Sequence, residues 1–272
     1  MRLIAKTTVA TDSEVPWLWM KFHEAAPFVD EIIVCEFDTT LSGQTKPFAF
    51  EKYVDAFQAA FPQLRYLQGK SLDGLVLDAR DTIATRANET LFRGWFASQV
   101  PLKADDIIVS TDADEVLYRD TYQWVIKNFS SRTKGVRFGL HQMFYRPNFF
   151  WLDKRFVAPV ALRFGAYNKN YPNNWRNQGQ KMDGYWGVHF SWCMPIEEMM
   201  TKVKSYGHAP EHQHVNSREI FERAITEKVF PFDDRDFRLE EIAFNSPLLP
   251  DSFLRYAHLI PKEVLGEFEV GL

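Results

Sequence analysis

Cysteine is nearly missing from this 272-residue sequence, which contains only Cys35 and Cys193. Two thiols cannot build the disulfide framework of a small secreted domain or a four-thiolate zinc site. Each lies in an apolar run, Ile32-Ile33-Val34-Cys35 and Phe190-Ser191-Trp192-Cys193, and reads as a buried free thiol. Long apolar runs are missing as well. No stretch approaches the roughly 18 uncharged apolar residues that span a bilayer, and residues 1–8 lack the apolar core of a signal peptide. A basic excess is also missing: 32 Lys and Arg face 36 Asp and Glu, for a net charge of −4. That excludes the charge footprint of a dedicated nucleic-acid binder. Together these absences predict a soluble, cytoplasmic protein, at most peripheral to a membrane.

Glycine is scarce where phosphate loops need it. No G-x-G-x-x-G follows a strand-like run, so a dinucleotide fingerprint is excluded. Gly69-Lys70-Ser71 resembles the end of a P-loop, but its first glycine would fall on Leu64. His208-Ala209-Pro210-Glu211-His212 matches H-x-x-E-H, yet Pro210 breaks the helix that would align the histidines.

What is abundant is aromatic: 24 Phe, 10 Tyr and 8 Trp, with fifteen of them between residues 138 and 192. Before that segment, short apolar runs alternate with helical spacing. Strands are expected at 3–9, 31–36, 64–67 and 107–110, and helices at 14–28, 48–60, 79–98 and 119–129. From residue 138 the pattern dissolves into Asn- and Pro-rich sequence. A strand at 188–192 and helices at 195–205 and 217–228 follow. Strands alternating with helices predict one α/β domain, a mostly parallel sheet flanked by helices. Such sheets bind ligands beyond the carboxyl ends of their strands.

At one such end lies Asp105-Asp106-Ile107-Ile108-Val109-Ser110-Thr111-Asp112-Ala113-Asp114-Glu115. Clustered carboxylates repel one another and persist where a cation neutralises them. Oxygen ligands favour Mg²⁺ or Mn²⁺, which could bridge a diphosphate leaving group. Asp112 and Asp114 are therefore the candidate metal and nucleotide residues. A solvated loop before the next helix is the structural alternative. A second D-x-D, Asp234-Arg235-Asp236, follows no strand and reads as a solvated face.

Four blocks in order resemble glycosyltransferase family 17. They are 30–36 continuing to Ser42-Gly43-Gln44-Thr45-Lys46-Pro47; Arg80-Asp81 with Arg86-Ala87-Asn88; 105–116; and Gly187-Val188-His189-Phe190-Ser191-Trp192-Cys193 followed by 202–208. Val188 stands where the family has Trp, and Val116-Leu117 where it has Ile-Pro. The resemblance implies a GT-A-like nucleotide-binding fold over residues 1–272, with a donor side to about residue 130 and an acceptor side beyond. It implies a UDP-sugar donor, most simply N-acetylglucosamine, a glycan acceptor, Mn²⁺ or Mg²⁺, and inversion of configuration. Asp112 would contact ribose or metal-bound water, and Asp114 and His189 would ligate the metal. His189 alone would read as a core histidine.

Glu36 could meet the base or ribose, and Arg86 the diphosphate or a nearby carboxylate. Inversion needs a carboxylate base, for which Asp183 and Glu211 are candidates, each equally readable as a surface carboxylate. Trp151, Trp175, Tyr185, Trp186 and Trp192 are candidate sugar-stacking walls; the phenylalanines read as core. Two other readings stay open. One is a metal-dependent nucleotidyltransferase or phosphohydrolase, the other a non-catalytic carbohydrate-binding protein.

Overall fold

The computed structural model describes residues 1–130, 132–167, 176 and 178–266. Its first four strands are β1 (Leu3–Val9), β2 (Glu31–Phe37), β3 (Leu64–Gly69) and β4 (Ile107–Asp112). They pair in the order β3-β2-β1-β4, all parallel. These strands read as unbroken apolar runs because helices cover both faces. On one face, Leu3, Ala5, Ile32, Val34, Ile107 and Val109 pack against α1 (Val15–Ala25) and α2 (Val54–Ala60). On the other, Ile4, Ile33, Cys35 and Ile108 pack against Phe92 and Phe96, at the end of α3 (Thr82–Trp95). α3 starts at Thr82 rather than at residue 79, because the Asp81 carboxylate caps it by accepting from the Ala84 N–H.

The second half continues the same sheet. After β5 (Glu115–Leu117) and α4 (Arg119–Asn128) comes a long antiparallel hairpin, β6 (Gly135–Phe144) and β7 (Arg146–Arg163). The short β8 (Gln180–Lys181), β9 (Gly187–Ser191), α5 (Ile196–Ser205), α6 (Ala209–His212), α7 (Arg218–Glu227) and β10 (Leu239–Glu241) follow. The sheet runs on as β4-β7-β6-β9-β5, with β8 on β6 and β10 on β7. Among the described residues five of the nine strand pairings are parallel, and each antiparallel one involves a strand of this half.

The hairpin corrects the expectation of irregular structure from residue 138. Its strands lack the two-residue alternation that marks a half-exposed sheet, because nine of the ten β6 residues are buried. The turn places Tyr145 alone between the strands at φ +66°. Its hydroxyl donates to the Val229 carbonyl at 2.8 Å, anchoring an otherwise costly conformation. Both cysteines are buried free thiols, and burial pushes Cys35 up to about 11. No helix among the described residues is long and apolar enough to cross a membrane.

Candidate active site at the carboxyl end of the central strand

β4 delivers Asp112 at its last residue, and a two-residue turn then presents Asp114 before β5 begins. Alternation along β4 puts Asp112 on the α3 face with Ile108. There it meets Arg93 of α3, whose Nη2 is 2.9 Å from Asp112 Oδ2 and 2.7 Å from Glu89 Oε1. Arg176 closes over the turn, paired with Asp112 through one nitrogen and with Glu115 through the other. Its guanidinium carbon lies 5.6 Å from the centroid of the Phe156 ring.

Asp114 faces a different set. Its Oδ2 is 3.6 Å from His189 Nε2 and 3.5 Å from Lys202 Nζ. His189 arrives there because β9 pairs with β5 in a register that puts it opposite Glu115. The Phe190 N–H donates to the Asp114 carbonyl at 2.8 Å, tying the turn to β9. Gly187 permits this approach, since a Cβ there would run into the Val116 carbonyl and Leu117 Cα.

Charge is dense here. Burial opposes ionisation of Asp112, but Arg176 and Arg93 outweigh it and hold the carboxyl well below its usual range. Asp114 is likewise held down, with Lys202 and His189 overcoming burial. Two lysines flank the turn from opposite faces of the sheet. Lys6, inside β1, donates to Thr8 Oγ1 at 2.7 Å, and Lys21 of α1 donates to Thr7 Oγ1 and the Asp112 carbonyl. Burial lowers both to about 8. Glu14, whose Oε2 accepts from the Ala10 and Thr11 N–H groups, goes the other way: burial, then Asp114, raise it to about 7.

The residue types suit a divalent cation. A carboxylate oxygen and an imidazole nitrogen 3.6 Å apart are two ligands at the separation a shared ion would need. No group of three or more His, Cys, Asp or Glu among the described residues could hold an ion unaided. The remaining positions would fall to water or substrate phosphate, the ordinary arrangement for Mg²⁺.

Other expected residues lie elsewhere. Glu36 is fully buried, and its two oxygens accept from Lys46 Nζ, the Ala49 and Phe50 N–H groups and the Tyr66 hydroxyl. With four donors on it, the carboxylate has nothing left for a ribose or base; it pins the 46–50 loop to β2. Arg86 is exposed, seven residues before Arg93 on α3 and so roughly 10 Å further along the helix. Arg93, not Arg86, reaches the acidic turn.

Glu211 accepts from Thr82 Oγ1 at 2.6 Å and pairs with His208 Nδ1 at 3.0 Å, on the exposed rim where α6 meets the start of α3. Asp183 is exposed and precedes β9, whose far end carries the contact with Asp114. The structure therefore separates it from the acidic turn. The His208 and His212 rings stack at 5.9 Å instead of converging on a metal. Asp234 and Asp236 are exposed.

The aromatic residues do not form one wall. Trp151 is buried among Phe144, Phe230 and Phe237, as core. Trp192 is buried against Phe221 and Phe232, with Lys202 Nζ 5.3 Å from its ring centroid. Trp186 packs against Trp124 and Phe138, and its Nε1–H donates to the Asp183 carbonyl. Tyr185 is exposed and stacks on His141 at 3.9 Å. Trp175 lies outside the described residues. Of the four described candidates, Trp192 is the one that approaches the acidic turn, through Lys202.

Residues that composition and motif reading missed are Arg93, Arg176, Lys202, Lys6, Lys21 and Glu14. Lys6 had a signal: a lysine inside an otherwise apolar strand, Leu3-Ile4-Ala5-Lys6, has to be paired or functional.

The sequence model described as Glycosyltransferase family 17 matches residues 5–231. No curated protein matches the chain. Among solved structures, similar ones include 4-diphosphocytidyl-2C-methyl-D-erythritol synthase from Anaerococcus prevotii, at 11% identity and TM-score 0.34, covering 60% of this chain and 70% of that one. A second structure of a 4-diphosphocytidyl-2C-methyl-D-erythritol synthase shows 13% identity and TM-score 0.33 over 60% of this chain and 76% of that one. The bifunctional IspDF from Campylobacter jejuni matches at 8% identity and TM-score 0.32, over 60% of this chain and 41% of its own.

Proposed function

Because the chain belongs to glycosyltransferase family 17, we propose that it moves N-acetylglucosamine from a UDP-sugar to a glycan hydroxyl, inverting the anomeric centre. A divalent cation, Mn²⁺ or Mg²⁺, would be held by Asp114 and His189. The observation that carries this reading is the turn at the carboxyl end of β4, where Asp112 and Asp114 stand within a ring of Arg93, Arg176 and Lys202. A sheet of this kind receives its ligand there. The ring supplies fixed positive charge where a nucleoside diphosphate would leave.

In this reading Asp114 Oδ2 and His189 Nε2 would hold the cation, whose charge would stabilise a departing diphosphate. Lys202 and Arg176 turn from their carboxylates toward the phosphate oxygens, Arg176 with a planar fork suited to two oxygens at once. Asp112, with its Oδ2 held by Arg93, keeps an oxygen for the donor ribose. Lys21 bridges Thr7 of β1 and the Asp112 carbonyl of β4, so the backbone that carries Asp112 does not have to be reorganised as the reaction proceeds.

A panel of nucleotide sugars, each with and without Mn²⁺, read by thermal melting, tests the donor and the cation together. UDP-N-acetylglucosamine is expected to raise Tm only when Mn²⁺ is present, with UDP as product. Equal stabilisation without Mn²⁺ would remove the cation from the scheme. Pyrophosphate as product would replace it with nucleotidyl transfer. Sugar binding that survives Asp112→Asn and Asp114→Asn, with no donor turnover, would mark a carbohydrate-binding protein.

A further inference from the structure

Among the described residues, two buried polar atoms at the Asp114–His189 pair have no hydrogen-bond partner. Gln142 is 5% exposed, and its Oε1 is buried without a hydrogen bond. His189 Nδ1 is in the same condition. The strands bring these two groups side by side. β6 and β9 run parallel with Gln142 registered directly beside His189, and Glu115 of β5 is registered on the other side of His189. Laterally registered residues leave a sheet on the same face, so Glu115, His189 and Gln142 form one row across three strands. The Phe156 ring, 4.2 Å from the His189 ring, covers that row. Gln142 also sits where the β6–β7 register breaks, between His141 and Met143. Irregularities of this kind re-aim side chains beside functional sites.

The unpaired state has a physical cause. With His189 Nε2 facing the Asp114 carboxylate, the ring proton is favoured on Nε2. Nδ1 is then a lone-pair acceptor, and an acceptor cannot bond the amide oxygen of Gln142. Moving the proton to Nδ1 reverses the situation: Nδ1–H becomes a donor on the residue registered beside Gln142, whose amide oxygen has no other donor among the described residues, and Nε2 presents its lone pair to the site. A metal-bound imidazole needs this arrangement, since its second nitrogen is regularly held by an oxygen acceptor.

We propose that Gln142 is the positioning residue for His189, its Oε1 accepting from Nδ1–H when a divalent cation engages Nε2. The inference rests on the reading of Asp114 and His189 as cation ligands. The amide at position 142 stores an acceptor that is used only in the loaded site.

The test is Mn²⁺ titration of the full chain by calorimetry, without nucleotide, alongside thermal melting to confirm folding. Gln142→Met, close to isosteric but without an acceptor, is expected to weaken Mn²⁺ binding roughly ten- to hundred-fold. Gln142→Glu, which keeps an oxygen in place, should bind at least as tightly as wild type, and serves on its own if the methionine variant does not fold. In a His189→Ala background, adding Gln142→Met should change nothing further. Wild-type affinity in Gln142→Met, or a full additional loss in the double variant, overturns the positioning role while leaving the cation reading intact. Failure of the wild-type protein to bind Mn²⁺ overturns the cation reading and this inference with it.

Discussion

Glu36 and His189 both stand on inner strands of one sheet, both near the ligand-binding edge, and their surroundings are opposite. The Glu36 carboxylate is saturated, with Lys46, two backbone N–H groups and the Tyr66 hydroxyl all donating to it. Among the described residues His189 keeps a buried nitrogen with no partner, beside an amide oxygen with none. Saturation marks a group that builds the fold, because any ligand would first have to break what is there. An unsatisfied buried group costs free energy, and it persists most readily where something outside the chain completes it. On that criterion the Glu36 carboxylate is scaffold, and His189 belongs to the site proposed at the β4–β5–β9 region.

The largest expected effect falls on the working side. Asp114→Asn should lower UDP-N-acetylglucosamine turnover about 10³-fold or more, since it removes the carboxylate charge proposed to bind the cation. Urea melting should stay close to wild type, because an amide can still meet His189 and Lys202. Near wild-type turnover in this variant would break the assignment. The scaffold side predicts the converse. Glu36→Gln removes a charge that Lys46 and three other donors are arranged around, and should cost about 3 kcal/mol in urea unfolding. Mn²⁺ and UDP binding by the folded fraction should be unchanged. A specific loss of nucleotide affinity would return Glu36 to the binding site.

How far the sequence reveals this division depends on the distance over which each signal acts. The four parallel strands and their helices are legible because strands buried on both faces are continuous apolar runs, and α3 is legible from its spacing. Asp112 and Asp114 are legible because they directly follow such a run. Arg93 shares a helix with Arg86, seven residues away, but choosing between them requires knowing which part of α3 lies over β4. Arg176 and Lys202 are brought to the turn from 60 to 90 residues away by the hairpin and by β9, and local spacing carries no trace of that. The aromatic excess was legible as a count and misleading as a wall. Its members divide among separate clusters because β6, β7 and β9 point successive side chains to opposite faces.

His141 supplies a control for the working site. It lies next to Gln142, its Nδ1 is also buried and unpaired, and it stacks on Tyr185. It has no ion pair with a carboxylate among the described residues, and burial pushes it down to about 4. The folded protein therefore holds His141 neutral between pH 6.5 and 4, where the unfolded chain takes up a proton. Stability is lost as pH falls through that window. His141→Phe, which keeps the stack on Tyr185, should flatten that part of a Tm-against-pH curve and leave Mn²⁺ affinity as it is. A fall in Mn²⁺ affinity would mean that any unpaired histidine nitrogen in this sheet affects the site, and the contrast with Glu36 would lose its meaning.

The smallest effect is expected at Asp183. Its carboxylate has no hydrogen-bond or ion-pair partner among the described residues, it is exposed, and by residue type it could serve as the base of an inverting transfer. Its location argues against that role. β9 runs from Gly187 to Ser191 antiparallel to β5, so its closing contact with Asp114 is at Phe190, while Asp183 precedes the opposite end. There the neighbouring chain is the start of α4, tied down where the Tyr118 N–H and Thr121 hydroxyl donate to the Trp186 carbonyl. A base has to reach the attacking hydroxyl directly or through one water, and a side chain at the wrong end of a strand cannot. Asp183→Asn is accordingly expected to hold kcat within about threefold, well short of the 10²-fold that loss of a general base produces. A loss of that size with KM unchanged would move the acceptor to the α4 side of the sheet, and would require the transfer to be rebuilt around that edge.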